Sequence, residues 1–145
     1  MSVFSEDLII LDLVATDKVD AIKQMAQAAV TAGRGNDAAQ IAADVIARDE
    51  MGTPQIDGIA IPHARSGGVT EAAVVVARTA GVVFDPEEEP AQVLFMILVP
   101  NEAGDQHIEI LSSLARRMMD PDFTSGLRTL ATKSELVSLL TSGDK

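Results

Sequence analysis

The chain contains no cysteine, which excludes a disulfide framework, a thiolate nucleophile and a cysteine-ligated metal. It also has no Trp or Tyr, and aromatic residues make up only 3% of it. A base-stacking surface or an aromatic platform for carbohydrate therefore has no material to be built from. Positive charge is equally sparse: 22 acidic residues against 11 basic ones give a formal charge of -11, with no local concentration of Lys or Arg. Nucleic acid is not an expected partner, because binding it requires a basic footprint that displaces counterions. A basic protein partner would be steered in by such a field. No apolar run approaches the roughly 20 residues that span a bilayer. The opening MSVFSEDLII has no basic segment ahead of its short apolar run. Direct membrane insertion is thus not expected, and a soluble, cytoplasmic protein is.

What the sequence does have is a 47% apolar content spread over 145 residues, about the size of one ordinary domain. With aromatics scarce, Ala, Val, Ile, Leu and Met must fill the interior. Residues 1–145 are read as a single domain of the α/β class, a mixed β-sheet flanked by α-helices on both faces. Leu8 to Val14 reads as a short strand, and Asp17 as the cap of a helix that Gly33 stops. A second helix is expected from a cap at Asn36 to about Asp49, with Arg48 at its C-terminal end. Residues 51–68 are dense in Gly and Pro, signalling a loop or a strand broken by turns. Ala73 to Ala77 and Val93 to Val99 are continuously apolar, as strands covered on both faces are. Val82 to Phe84 reads as a separate brief strand, and Asp85 to Glu89 as a solvated acidic turn. Asp105 is expected to cap a helix whose stripe is Ile108, Leu111, Leu114, Ala115 and Met118, ended by Asp120-Pro121. A short helix is expected over Phe123 to Leu130. Thr132 with Glu135 makes a capping box for a last helix through about Leu140. Strand order is not readable from this pattern.

The chemistry-bearing residues are few. His63 follows Pro62 at the end of the apolar run Ile59-Ala60-Ile61, where a side chain emerging from a buried strand would meet solvent and a partner. A neutral imidazole is a competent nucleophile, and its unperturbed pKa of about 6.5 leaves much of it unprotonated at neutral pH. The position permits catalysis without requiring it, since a loop histidine is equally an ordinary surface residue. His107 falls in the first turn of the expected third helix, where the dipole favours an anion. Arg48 and Arg65 are candidate cationic partners, because a guanidinium fork suits phosphate oxygens; arginines near helix ends also serve simply to complement the dipole. No His-x-x-x-His pair, G-x-S-x-G, G-x-G-x-x-G or P-loop pattern occurs, so no metal or nucleotide cofactor is expected. A phosphoryl donor would then be another protein.

At GIAIPHAR the chain resembles the enzyme IIA domains of the fructose/mannitol class, in the bacterial phosphoenolpyruvate-dependent phosphotransferase system. The likeness extends over LIILDLVATDKVDAIKQMA, the Arg48-Asp49 pair, GVVFDPEEEPAQVLFMILVP and HIEILSSLARRMMD. The resemblance implies that His63 is phosphorylated by the phosphocarrier protein HPr and passes the group to a IIB component during sugar uptake. It implies that His107 and Arg48 line the same site. Where the family carries an Arg-Glu pair this chain has Arg48-Asp49, and GTPQID holds fewer glycines than many relatives before GIAIPH. Arg65 falls where the family varies and inherits no role. The second reading is a nitrogen-type regulatory relative, in which the same phosphorylation acts as a switch. The features of the 81–100 stretch resemble the fructose branch more closely.

Overall fold

The structure is a computed structural model and describes residues 3–141. A 3-10 turn, Glu6–Leu8, leads into β1 (Ile9–Leu13), α1 (Lys18–Thr31) and α2 (Ala38–Asp49). Three short strands follow: β2 (Gln55–Ile56), β3 (Ile59–Ala60) and β4 (His63–Ser66). Two long strands, β5 (Ala73–Val82) and β6 (Ala91–Pro100), precede α3 (Gln106–Arg117), α4 (Pro121–Thr129) and α5 (Lys133–Thr141). The sheet order is β1-β5-β6-β3-β2, with β4 also on β6. It is mixed: β1 runs parallel to β5, β3 and β4 run parallel to β6, and the β5–β6 and β2–β3 pairs are antiparallel.

The continuously apolar runs have the cause expected of them. Alternate residues of a strand face opposite sides, and both sides of this sheet are covered. Val75, Ala77, Leu94, Met96 and Leu98 join α1 and α2 in one core, built on Ile22, Met25, Ile41 and Val45. Val74, Val76, Val93, Phe95 and Ile97 join α3, α4 and α5 in the other, built on Leu114, Phe123, Leu127, Leu136 and Leu140. Neither side of β5 or β6 tolerates charge over these stretches.

Local signals place most helix ends. Asp17 accepts from the Asp20 N–H at 2.9 Å, and Gly33 sits at φ +82° just past α1. Thr132 and Glu135 exchange the reciprocal bonds of a capping box, at 3.1 and 3.2 Å. Asp57-Gly58, both with positive φ, form the tight turn between β2 and β3.

Four expectations need correcting. The cap of α2 is Asp37, one residue after Asn36, and its carboxylate accepts from the Gln40 N–H. Val82 does not begin its own strand but ends β5, which continues across a register shift between Arg78 and Val82; Gly81, at φ +149°, lets the backbone bend there. Asp105 precedes α3 without making a side-chain cap bond, and Ile108 of the expected stripe is 50% exposed. Finally, α4 starts at Pro121, because Asp120 caps it and Pro suits the first turn.

Candidate active site

Residues 51–68 resolve into one interrupted edge. Ala60 pairs with Leu94 and His63 with Ile97, so β3 and β4 keep one register along β6 while Ile61-Pro62 interrupts them. The cause lies in Pro62, which has no N–H to donate; its carbonyl still accepts from Ile97 N at 3.0 Å. The Ile61 N–H turns instead to the Pro54 carbonyl, at 2.9 Å.

The Ile61 carbonyl is met by His63 Nδ1 at 2.9 Å. A carbonyl only accepts, so Nδ1 carries the proton and donates. In a neutral ring this leaves the lone pair on Nε2. His63 is not emergent, however: it is 6% exposed and opens β4 rather than ending a strand in solvent. The reason is that β4 resumes pairing with β6 immediately at His63, which holds the ring inside the sheet edge.

The other candidates are placed as follows. His107 is the second residue of α3, and its side chain lies outside the described residues. Arg48 lies in the last turn of α2, and its guanidinium donates to the Gly52 carbonyl at 3.0 Å, so its described contact is with the loop leading to His63 rather than with the imidazole. Arg65 is exposed and donates through Nη2 to the Gly104 carbonyl, bridging β4 to the loop that enters α3.

Sequence reasoning gave Asp49 no structural part of its own. Its side chain is 7% exposed, pairs with Lys18 Nζ at 2.6 Å and accepts from Thr53 Oγ1 at 2.5 Å. The available signal was its place beside Arg48 at a helix end, just ahead of the broken strand. A cavity of about 590 Å³ lies at the far end of β5, lined by Asp12, Arg78, Gln92 and Arg128 among others. None of the candidate residues lines it. Both arginines there are engaged with backbone carbonyls, Arg78 with Leu130 at 2.7 Å and Arg128 with Asp57.

The fold and this edge define a histidine-bearing α/β class, and comparison with known proteins identifies it. A model of the family described as "Phosphoenolpyruvate-dependent sugar phosphotransferase system, EIIA 2" matches residues 2–143. The chain belongs to that family. It is 36% identical over 137 residues to the fructose-specific EIIA component of Haloferax volcanii, covering 92% of this chain and 89% of that one. Some curated relatives are much longer, and of two of these the chain spans 21% and 15% of the length. Among solved structures, the nitrogen regulatory protein IIA-Ntr of Neisseria meningitidis superposes with a TM-score of 0.84 at 28% identity, covering 94% of this chain and 95% of that one. The complex of enzyme IIAMTL with phosphorylated enzyme IIBMTL from Escherichia coli matches with a TM-score of 0.79 at 23% identity, covering 96% and 97%, and shares the fold. Among the described residues, no helix is long and apolar enough to cross a membrane.

Proposed function

We propose that residues 1–145 act as one cytoplasmic EIIA domain in sugar uptake, in which His63 takes a phosphoryl group from HPr and hands it to a IIB component. The observation that carries this reading is the Nδ1–H bond to the Ile61 carbonyl, which leaves Nε2 as the nucleophile. As the Nε2–P bond forms, the P–N bond of the donor phosphohistidine breaks and its electron pair stays on the donor nitrogen. Because phosphoryl transfer passes through a loose transition state, the protein contributes mainly position and charge. Arg48 and His107 are proposed to balance charge on the equatorial oxygens. The recessed ring keeps bulk water from the phosphohistidine between partners. The fructose-specific relative at 36% identity supports a role in sugar uptake. The solved complex of a IIA with a phosphorylated IIB supports the choice of partner.

The test is incubation with phosphoenolpyruvate, enzyme I and HPr, followed by mass spectrometry under conditions that preserve acid-labile phosphate. One phosphate on His63 is expected, absent in a folded His63→Ala variant. His107→Ala should still accept phosphate, with onward transfer slowed about a hundredfold. No label in a working relay, or label on another side chain, overturns the reading. The regulatory reading draws on the similarity to IIA-Ntr. It predicts uptake of phosphate without transfer to any IIB, and altered binding to a target protein instead.

A further inference from the structure

We propose that Arg65 is a positioning residue for phosphoryl transfer, a latch that holds the start of α3 against the strand carrying His63. The inference rests on the reading of His63 as the phosphoryl acceptor and assigns a role to a side chain which that reading leaves idle.

Residues 63 and 65 of β4 share one face of the strand. That face belongs to the α3 side of the sheet, since Ile59, Ile61 and Ile97 on the same side pack with Leu114 of α3 and with Met118, which caps it. From there the Arg65 guanidinium reaches the Gly104 carbonyl, 39 residues away in sequence. Gly104 has φ +64°, a conformation that suits glycine, and it lies three residues before His107. The loop passes directly into the helix: the Ala103 carbonyl accepts from Gln106 N and the Asp105 carbonyl from Ile108 N. A shift at Gly104 is therefore a shift of the first turn of α3.

Among the described residues, side-chain burial holds that first turn less firmly than the rest of the helix. Leu114 and the C-cap Met118 anchor the second half of α3, at 2% and 5% exposure, whereas Ile108 near its start is 50% exposed. The Asp105 side chain makes no cap bond. Ile110 and Leu111 pack only partly against the core, so among the described residues Arg65 supplies a long-range side-chain tie where burial is partial and side-chain capping is absent. Other arginines also tie carbonyls, but this tie begins two residues from the imidazole and ends at the helix that carries the second histidine.

Arg65→Met keeps the aliphatic stem and removes the donors, and Arg65→Lys keeps one donor. With saturating phosphorylated HPr, the transfer rate constant of Arg65→Met is expected to fall roughly ten- to a hundredfold. KM and the thermal midpoint should change little, and Arg65→Lys should recover part of the loss. In a His107→Ala background, Arg65→Met should cost almost nothing further, because the latch acts through the start of α3. An unchanged rate, a loss confined to KM, or the same fold-loss in both backgrounds overturns the proposal. A wild-type protein that takes no phosphate on His63 overturns the parent reading as well. A labelled wild type with an indifferent Arg65→Met sinks the latch alone.

Discussion

Asp49 shows how much one side chain settles at this site. Its carboxylate joins the start of α1 through Lys18 to the loop after α2 through Thr53, and Lys18 also donates to the Phe84 carbonyl at 3.1 Å. The next residue, Pro54, is the one whose carbonyl receives the Ile61 N–H. Asp49 thus braces the segment that presents His63, three hydrogen bonds removed from the ring. Asp49→Asn keeps the shape and removes the charge, leaving the Thr53 hydroxyl and Lys18 with a weaker acceptor. The expected cost is about 1–3 kcal/mol, the range for an impaired charged hydrogen bond, discounted toward its lower end because Lys18 is 35% exposed. Urea unfolding measures it, and an unchanged midpoint would show that the bridge contributes nothing net. His63 itself was legible as a candidate, but its tautomer was not. That depends on a carbonyl two residues back which Pro62 and the Pro54 contact leave available.

Between elements, the decisive contact joins the α1–α2 turn to the β4–β5 turn. Asn36 N donates to the Gly68 carbonyl at 2.9 Å, and Thr70 N to the Arg34 carbonyl at 2.8 Å. Such backbones lie so close that a Cβ on Gly68 would stand 2.8 Å from the Asp37 carbonyl oxygen and 3.0 Å from Ile41. Gly68→Ala is therefore expected to push α2 off β4 and to destabilise the fold by about 1–3 kcal/mol. Thermal unfolding checks this, with Gly33→Asn as the comparison: a Cβ at Gly33 meets nothing within 4 Å and φ is +82°, a conformation Asn tolerates. Equal losses in the two variants would remove the close-approach argument. Helix ends were readable because caps are local: Asp17, Thr132 and Glu135 act within four residues. The length of β5 was not, because Arg78 to Gly81 look like a turn until antiparallel pairing with β6 resumes at Val82.

At the scale of the molecule, 22 acidic residues face 11 basic ones, so at least half of the carboxylates have no basic partner of their own. The arginines have another task as well. Arg34, Arg48, Arg65, Arg78, Arg117 and Arg128 all donate to backbone carbonyls, fastening turns and helix ends. Such bonds lose little to salt, whereas repulsion among surface carboxylates is screened by it. Raising KCl from low to about 1 M, where the Debye length is about 3 Å, is expected to raise Tm. Each kcal/mol of relieved repulsion corresponds to about 2–4 °C. A flat or falling Tm in scanning calorimetry would mean that attractive pairs outweigh the excess charge.

The sequence by itself determined the apolar strands, the caps at Asp17 and Thr132 and the single Pro-His junction, because each rests on alternation, capping or backbone chemistry within a few residues. Family resemblance extended this to a candidate site. Only the tertiary structure decided which residues meet across the chain: the mixed sheet order, the burial of His63, the brace at Asp49 and the reach from Arg65 to Gly104. Those contacts depend on how two separate cores press helices onto opposite faces of one sheet, and no periodicity along the chain encodes the distance between residues 39 apart.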